Sequence, residues 1–421
     1  MSSKNMQENS DFRKKSKQRM KIVAGLGSIE EYIPYVEAGA DELFCGYVPY
    51  WWSQKYGTLS PLNRREVLAY HVQIGAFEDL KILSNLVKIY GVPVTIALNA
   101  LYYVKEQYEE IASIVASCME IGFDSFIIAD PALVFFLREK GIRCNIHLSG
   151  EMSEVNSLFL EQMSKYDISR VIFHRKNSFS DMESCVRKTK EKIPEYEAFV
   201  LNEMCHFTGA YCNSLHCDEL GHLCKVPYQL GCYGKPAFQS NVLYQSKENL
   251  HTVYKTQEEK PGCMLDSSVT ASVEYEPKMK GYKSKTDACA PGTNEEEAEI
   301  DGYLPGANEE AEIDGYLPGA NEEAEIDGYL TGVTGCGLCA LASLQTAGVT
   351  HLKVVGRGNY IDYEKEDIRQ LKRALTILEE VEALRQKDSG EVQLHVEFQR
   401  RIRTRLFHGE CSNNCYYRNH V

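Results

Sequence analysis

The chain has 421 residues, of which 43% are hydrophobic, and its formal net charge at pH 7 is −14. This apolar content supports one large α/β domain with an insertion, or two ordinary domains. No run of 18 apolar residues occurs, and the polar, basic N-terminus lacks the apolar stretch of a signal peptide. We therefore expect no membrane span and a cytoplasmic protein.

Residues 1–19 are polar, basic and without periodicity, which predicts a disordered arm. From residue 20 to 204, short β-branched runs alternate with amphipathic stretches, several of which end at glycine, as helices often do. The runs predict strands at residues 21–26, 41–46, 93–98, 124–129, 143–148, 169–174 and 197–202. Such alternation is typical of a parallel α/β fold.

The alternation stops at residues 205–335 and resumes at 336–390, with a helical pattern, an eighth apolar run at 350–356 and a long helical pattern. Eight strands, each followed by a helix, predict a (β/α)8 TIM-type barrel with a cysteine-rich insertion between strand 7 and helix 7. A doubly wound open sheet is the alternative, but the count of eight favours the barrel. Residues 391–421 remain as a basic C-terminal extension with Cys411 and Cys415.

The insertion contains an acidic tandem repeat. The 13-residue unit EIDGYLPGANEEA recurs within residues 295–330, and thirteen acidic residues of this region account for most of the net charge. The rest of the chain is near neutral and shows no strong electrostatic preference for nucleic acid. We interpret the tandem as a solvated spacer; a tether that binds a basic protein partner is the alternative.

Cysteines are concentrated at the start and the end of the insertion. Five of them fall within 28 positions, and a Cys-x-x-Cys pair follows: Cys205, Cys212, Cys217, Cys224 and Cys232, then Cys336 and Cys339. In a chain without an export signal, this density indicates a metal or iron–sulfur site rather than disulfides. Because an insertion after strand 7 leaves from the C-terminal mouth of a barrel, we expect both groups at the face where barrel enzymes carry their chemistry.

The thiolates of these cysteines could bind either of two metal centres. Four of them are the usual ligands of a 4Fe–4S cluster, and a zinc site built from the same pattern is the alternative. Four other cysteines lie within apolar elements and are expected to be buried core thiols: Cys45, Cys118, Cys144 and Cys185. Cys411 and Cys415 form at best half of a metal site.

Polar residues follow several predicted strands, where barrel enzymes recruit catalytic groups: His147, His174, Arg175, Glu203 and Arg357. Arg175 and Arg357 can bind a carboxylate or phosphate in bidentate geometry, or they can close ion pairs at the rim. Glu203 is a candidate acid or base, or a residue that supports a neighbouring cysteine ligand. His174 completes the set of catalytic candidates.

Several motifs resemble the collagenase-like peptidases, peptidase family U-32, over about residues 20–390 outside the insertion. They are GSIEEYIPYVEAGADELFCG at residues 27–46, Ser149-Gly-Glu151 followed by Asn156, RVIFHRKNS at 170–178, Glu197-x-Phe199 followed by Met204-Cys205 and Cys212, and LKVVGR at 352–357. Asn202, Glu203 and Val355 depart from the family pattern and indicate a divergent member.

The resemblance implies a barrel enzyme and two kinds of activity. Family members are named as proteases, whereas other relatives are similar to oxygen-independent hydroxylation enzymes that carry a cysteine-bound 4Fe–4S cluster and act on RNA bases or a quinone precursor. For this chain it implies four cluster ligands, of which the first two are the firmest: Cys205, Cys212, Cys224 and Cys339. Cys232 and Cys336 are alternatives for the remaining positions.

Three functions are therefore open. The first is an iron–sulfur enzyme that modifies an RNA base or a small aromatic acid, and it is our prediction. The second is a peptidase that hydrolyses peptide bonds. The third is a non-catalytic, metal-stabilised binding module whose acidic tandem recruits a partner.

Overall fold

In a computed structural model of the chain, eight parallel strands close into a barrel in sequence order, and the eighth strand pairs with the first. The structure describes residues 19–57, 60–64, 72–152, 155–202, 205, 329–387, 394–409 and 411–417, all of which belong to one compact unit. The predicted (β/α)8 TIM barrel is confirmed, and the open-sheet alternative is wrong.

The strands agree with the predicted ones to within two residues at each end. They are β1 Lys21–Leu26, β2 Glu42–Gly46, β3 Val94–Leu98, β4 Ser125–Ile128, β5 Asn145–Leu148, β6 Ile168–Phe173, β7 Glu195–Leu201 and β8 His351–Val354. Nearly all of their residues are buried, because helices cover the outer face and side chains fill the interior.

Helices follow the strands around the outside of the barrel. They are α1 Tyr32–Ala38, α2 Tyr50–Tyr56, α3 Phe77–Tyr90, α4 Gln107–Ile121, α5 Pro131–Glu139, α6 Ser157–Met163, α7 Phe179–Thr189, α8 Leu341–Thr346, α9 Ile361–Lys387 and α10 Leu394–Arg401. Helices α3 and α4 end at Gly91 and Gly122, whose φ angles of 76° and 113° favour a residue without Cβ. In the described parts of the chain, no helix is both long and apolar enough to cross a membrane.

After β7 the described chain ends at Asn202, apart from Cys205, and it resumes at Tyr329. Apart from Cys205 and residues 329–335, the predicted insertion lies outside the described residues, and so does its acidic tandem up to residue 328. The two ends are held together: the main-chain N–H of Asn202 donates to the carbonyl of Gly335 at 2.9 Å. Asp367 of α9 accepts hydrogen bonds from Asn202 Nδ2 at 2.6 Å and from the Tyr329 hydroxyl.

The C-terminal extension packs back onto the barrel. Phe398 of α10 and Ile402 are fully buried in the main hydrophobic core. Residues 411–417 then reach the C-terminal end of β7, where the Tyr417 hydroxyl donates to the Phe199 carbonyl at 2.8 Å. The neighbouring Tyr416 packs against the side chains inside the barrel. The described part of the extension therefore helps to close the barrel at its C-terminal end.

Candidate functional site

A buried network of charged side chains fills the half of the barrel interior nearer the N-terminal ends of the strands. We call this network the polar layer. Arg170 of β6 donates from Nη2 to Glu42 of β2 at 2.6 Å, from Nη1 to Glu197 of β7 at 2.9 Å, and from Nε to Glu195 at 3.0 Å. Lys353 of β8 donates to the second oxygen of Glu197 at 2.7 Å. One guanidinium thus holds carboxylates from two different strands.

Burial and charge fix the protonation states in the polar layer. Burial alone would raise the pKa of Glu197, but Lys353 and Arg170 lower it to about 2. His147 lies inside the barrel on β5, and burial, aided by Arg170, lowers its pKa to about 3. Near neutral pH, Glu197 is therefore an anion and His147 a neutral ring.

An apolar layer separates the polar layer from the mouth, the end of the barrel where the strands finish. Because inward-pointing side chains recur every second residue, Phe199 lies one layer above Glu197, and Ile172 one layer above Arg170. The complete apolar layer comprises Val23, Phe44, Ala97, Ile127, Ile172, Phe199 and Val355. The polar layer is thus a structural part of the barrel, and the chemistry of substrates belongs above the apolar layer.

Three arginines lie at the mouth. The guanidinium of Arg175, just after β6, lies 3.9 Å from the centroid of the Phe199 ring, and its Nη1 is 3.7 Å from Glu151 Oε1. The other oxygen of Glu151 is 3.8 Å from Nε of Arg64. Arg357 follows β8, and Arg175 and Arg357 are only 8% and 6% exposed. Buried guanidinium groups of this kind suit carboxylate or phosphate ligands.

Glycines make room for Arg357 at the mouth. A Cβ on Gly46, the last residue of β2, would collide with Nη1 of Arg357 and with Oε1 of Gln73. A Cβ on Gly25 of β1 would lie 3.1 Å from the main-chain nitrogen of Arg357. The absence of side chains at Gly25 and Gly46 therefore leaves space for the side chain and the main chain of Arg357.

His174 is the first residue after β6 and is held in a tight turn. Its main-chain N–H donates to Asn177 Oδ1 at 2.9 Å, and its Nδ1 accepts from the Lys176 N–H at 3.2 Å. In the neutral ring, Nε2 then carries the proton and can donate. His174, Arg175 and Arg357 therefore lie on the same face of the barrel, as the sequence predicts.

The remaining predicted site residues are placed only in part. Cys205 is half-buried just beyond β7, and Cys339 lies in a short 3-10 helix, Leu338–Ala340, before α8. Glu203, Cys212 and Cys224, and the alternative ligand Cys232, lie outside the described residues. Among the residues that are described, no three His, Cys, Asp or Glu side chains stand in metal-binding geometry. The four cysteines predicted to be core thiols are all buried.

Sequence reasoning missed Arg64 and the polar layer. Arg64 lies in the connection between α2 and α3, where no motif or periodic pattern points to it. The polar layer could have been identified from the sequence, because charged residues such as Arg170 and Lys353 occur at inward-pointing positions of otherwise apolar strands.

The sequence was compared with known families and proteins. The model of peptidase family U32 matches residues 27–416. The chain belongs to peptidase family U32. The U32 match begins just after β1 and includes strands β2 to β8, the mouth arginines and the C-terminal cysteines. No curated protein matches the chain.

Solved structures related to this U32 family member are distant. The U32 peptidase Mk0906 is 11% identical, with a TM-score of 0.33, and the match covers 45% of this chain and 71% of that one. A putative copper homeostasis protein CutC from Streptococcus agalactiae is 8% identical, with a TM-score of 0.32 over 43% and 87% of the two chains. The family assignment comes from the sequence match.

Proposed function

We propose that this U32 family member is an enzyme that binds an anionic, flat substrate at the barrel mouth and modifies it by oxygen-independent hydroxylation. An RNA base within its phosphate backbone and a small aromatic acid both have this chemistry. The observation that carries the proposal is the pair of buried arginines, Arg175 and Arg357, above the apolar layer.

The mouth offers both charge and flat apolar surface. Charge-assisted hydrogen bonds from a guanidinium are strongest where water is excluded, and Arg175 and Arg357 are nearly buried. Tyr416, which is only partly buried, packs on the apolar layer and provides an aromatic surface on which a planar ring can stack. These features support recognition of a planar anion.

A cysteine-ligated 4Fe–4S cluster is the cofactor we propose, as an expectation from the sequence. The donor type fits, since thiolates suit iron and Cys205 stands at the rim. Cys212 and Cys224 remain predicted ligands. The described thiol neighbours of Cys339 are Cys411, Cys415 and Cys336, so we propose Cys232 as the fourth ligand instead. When bound, such a cluster supplies one-electron transfer, and the residues of the mouth bind and orient the substrate.

Peptide hydrolysis is the second candidate, and the name of the family supports it. In that case Arg175 and Arg357 would bind the terminal carboxylate of a peptide. A zinc ion in place of the cluster would agree with this chemistry.

The cofactor can be tested by anaerobic purification and measurement of iron and acid-labile sulfide per chain. We expect both in the wild type and neither in Cys205→Ala or Cys212→Ala, because loss of one thiolate releases a cluster. Cys118→Ala, in the buried core, is the control that should keep its iron. A colourless wild type that cleaves peptides would support the peptidase instead, and a colourless, inactive one the binding module.

The anion site can be tested with Arg357→Met. We expect binding of a nucleoside monophosphate or of benzoate to weaken by roughly 10- to 100-fold, since a charged hydrogen bond contributes about 1.5–3 kcal/mol. Calorimetric titration measures binding, and thermal unfolding measures stability. Arg143→Met is the matched control, because Arg143 is exposed and precedes β5 at the other end of the barrel. A sharply lower Tm with unchanged binding would show that Arg357 serves stability alone.

A further inference from the structure

Four cysteines from two distant parts of the chain line one cavity of about 590 Å³ beside the barrel mouth. Cys336 and Cys339 belong to the segment that returns from the insertion, and Cys411 and Cys415 belong to the C-terminal segment. Arg403 lies in the same cavity wall. The sequence alone predicts at most half of a metal site at Cys411 and Cys415. The fold places Cys336 and Cys339 in the wall of the same cavity.

The main chain fixes the two halves against each other. The N–H of Cys336 donates to the carbonyl of Asn414, and the N–H of Tyr416 donates to the carbonyl of Cys336, each at 2.9 Å. Cys336 and Cys415 therefore form a parallel β-bridge, while Cys336 also bridges to Leu201 at the end of β7. The cysteine pairs are thus held by hydrogen bonds that do not involve their side chains.

The four thiols also influence one another. The pKa of Cys336 is raised to about 12, first by burial and then by the thiols of Cys339, Cys415 and Cys411. Burial raises the pKa of Cys339 as well, while Arg403 opposes this rise through its charge and a hydrogen bond. All four cysteines are free, and each is partly accessible to solvent. They face a common space into which an ion can enter.

We propose that Cys336, Cys339, Cys411 and Cys415 together bind one Zn²⁺ ion in a structural site. Four thiolates form a usual closed zinc site, and the Cys-x2-Cys and Cys-x3-Cys spacings are typical of it. The four thiols do not stand in metal-binding geometry in this structure, so the proposal requires them to move closer together when zinc binds. The positive charge of Arg403 offsets the excess negative charge of a zinc ion with four thiolates. This site uses cysteines other than those proposed for the cluster.

The zinc ion would tie the C-terminal segment to the barrel mouth. Tyr416, next to Cys415, packs on the apolar layer, and Tyr417 donates to the carbonyl of Phe199. Zinc would therefore hold in place an aromatic ring of the proposed substrate site. Losing it is expected to loosen residues 411–417 and to weaken ligand binding at the mouth, while the barrel keeps its fold.

The test is the zinc content of the full chain, purified anaerobically and measured by mass spectrometry. We expect about one zinc ion per chain in the wild type and almost none in Cys411→Ser or Cys415→Ser. Cys185→Ser, at a buried core thiol, and Cys205→Ala should keep the zinc. Cobalt substitution of the wild type adds a readout that needs no variant: tetrahedral thiolate ligation gives intense charge-transfer and d–d bands.

Three results would overturn the proposal. One is a zinc content that neither serine variant changes. Another is loss of iron and sulfide, rather than zinc, in Cys411→Ser, which would place the iron–sulfur cluster at this site. The third is a metal-free wild type in which two of these cysteines form a disulfide, as intact mass with and without reductant would reveal.

Discussion

Replacing Arg170 with Met is expected to lower the free energy of unfolding by about 3–5 kcal/mol, the usual effect of removing one member of a buried ion pair. Arg170 is 2% exposed and contacts Glu42, Glu195 and Glu197. Without it, the buried carboxylates of Glu42 and Glu197 keep Lys21 and Lys353, respectively, as lysine partners but lose the guanidinium between them. Methionine fills similar volume, so the loss reports on charge rather than on a cavity.

Urea unfolding followed by circular dichroism measures this effect. Arg143→Met is the control, since Arg143 and Asp167 form an exposed pair at 3.7 Å that should contribute less than about 1 kcal/mol. An equally small loss for Arg170→Met would mean that water reaches the polar layer. Glu197→Gln should also destabilise the protein, because it leaves Lys353 beside an uncharged amide.

Asp367 is expected to make the protein less stable as the pH rises from about 4 to 6. Burial raises its pKa to about 6, above the ordinary value of an aspartate, although Tyr329 and Asn202 donate hydrogen bonds to it. Within this window the folded protein keeps a proton that the unfolded chain has released, so stability falls with rising pH and is constant above it. Across this pH window the free energy of unfolding falls by roughly 2–3 kcal/mol.

Comparison with Asp367→Asn isolates this effect. The amide carries no titrating proton and still offers an oxygen to Asn202, so its stability should lose that part of the pH dependence. Other groups, such as Glu31, whose pKa burial raises to about 7, act equally in both proteins and cancel in the difference. Parallel stability curves of the two proteins between pH 4 and 7 would show that Asp367 titrates normally.

The strands were predictable because each is a short run of β-branched and apolar residues between helical patterns. The same reasoning places Arg175 and Arg357 at the mouth, since residues after barrel strands share one face. Local pattern and topology together therefore suffice for the barrel and for part of the site.

Contacts between distant segments were not predictable in this way. Glu42 and Arg170 form an ion pair across 128 positions, and nothing near either residue identifies the other. Likewise, Cys411 and Cys415 show only their own spacing, and the hydrogen bonds that bring Cys336 beside them arise from the closed barrel. Partners of this kind follow from the three-dimensional path of the chain.

The junction of Asn202, Gly335, Tyr329 and Asp367 has a consequence for the evolution of the insertion's length. It holds both ends of residues 206–328 at one point of the barrel. Under the spacer interpretation of the tandem, the conformational entropy lost on closing this segment grows only with the logarithm of its length, so one more 13-residue copy would change the closure free energy by only about 0.1 kcal/mol. On that interpretation, copies could be gained or lost by unequal recombination with almost no selection from folding stability, and the number of copies would be free to drift.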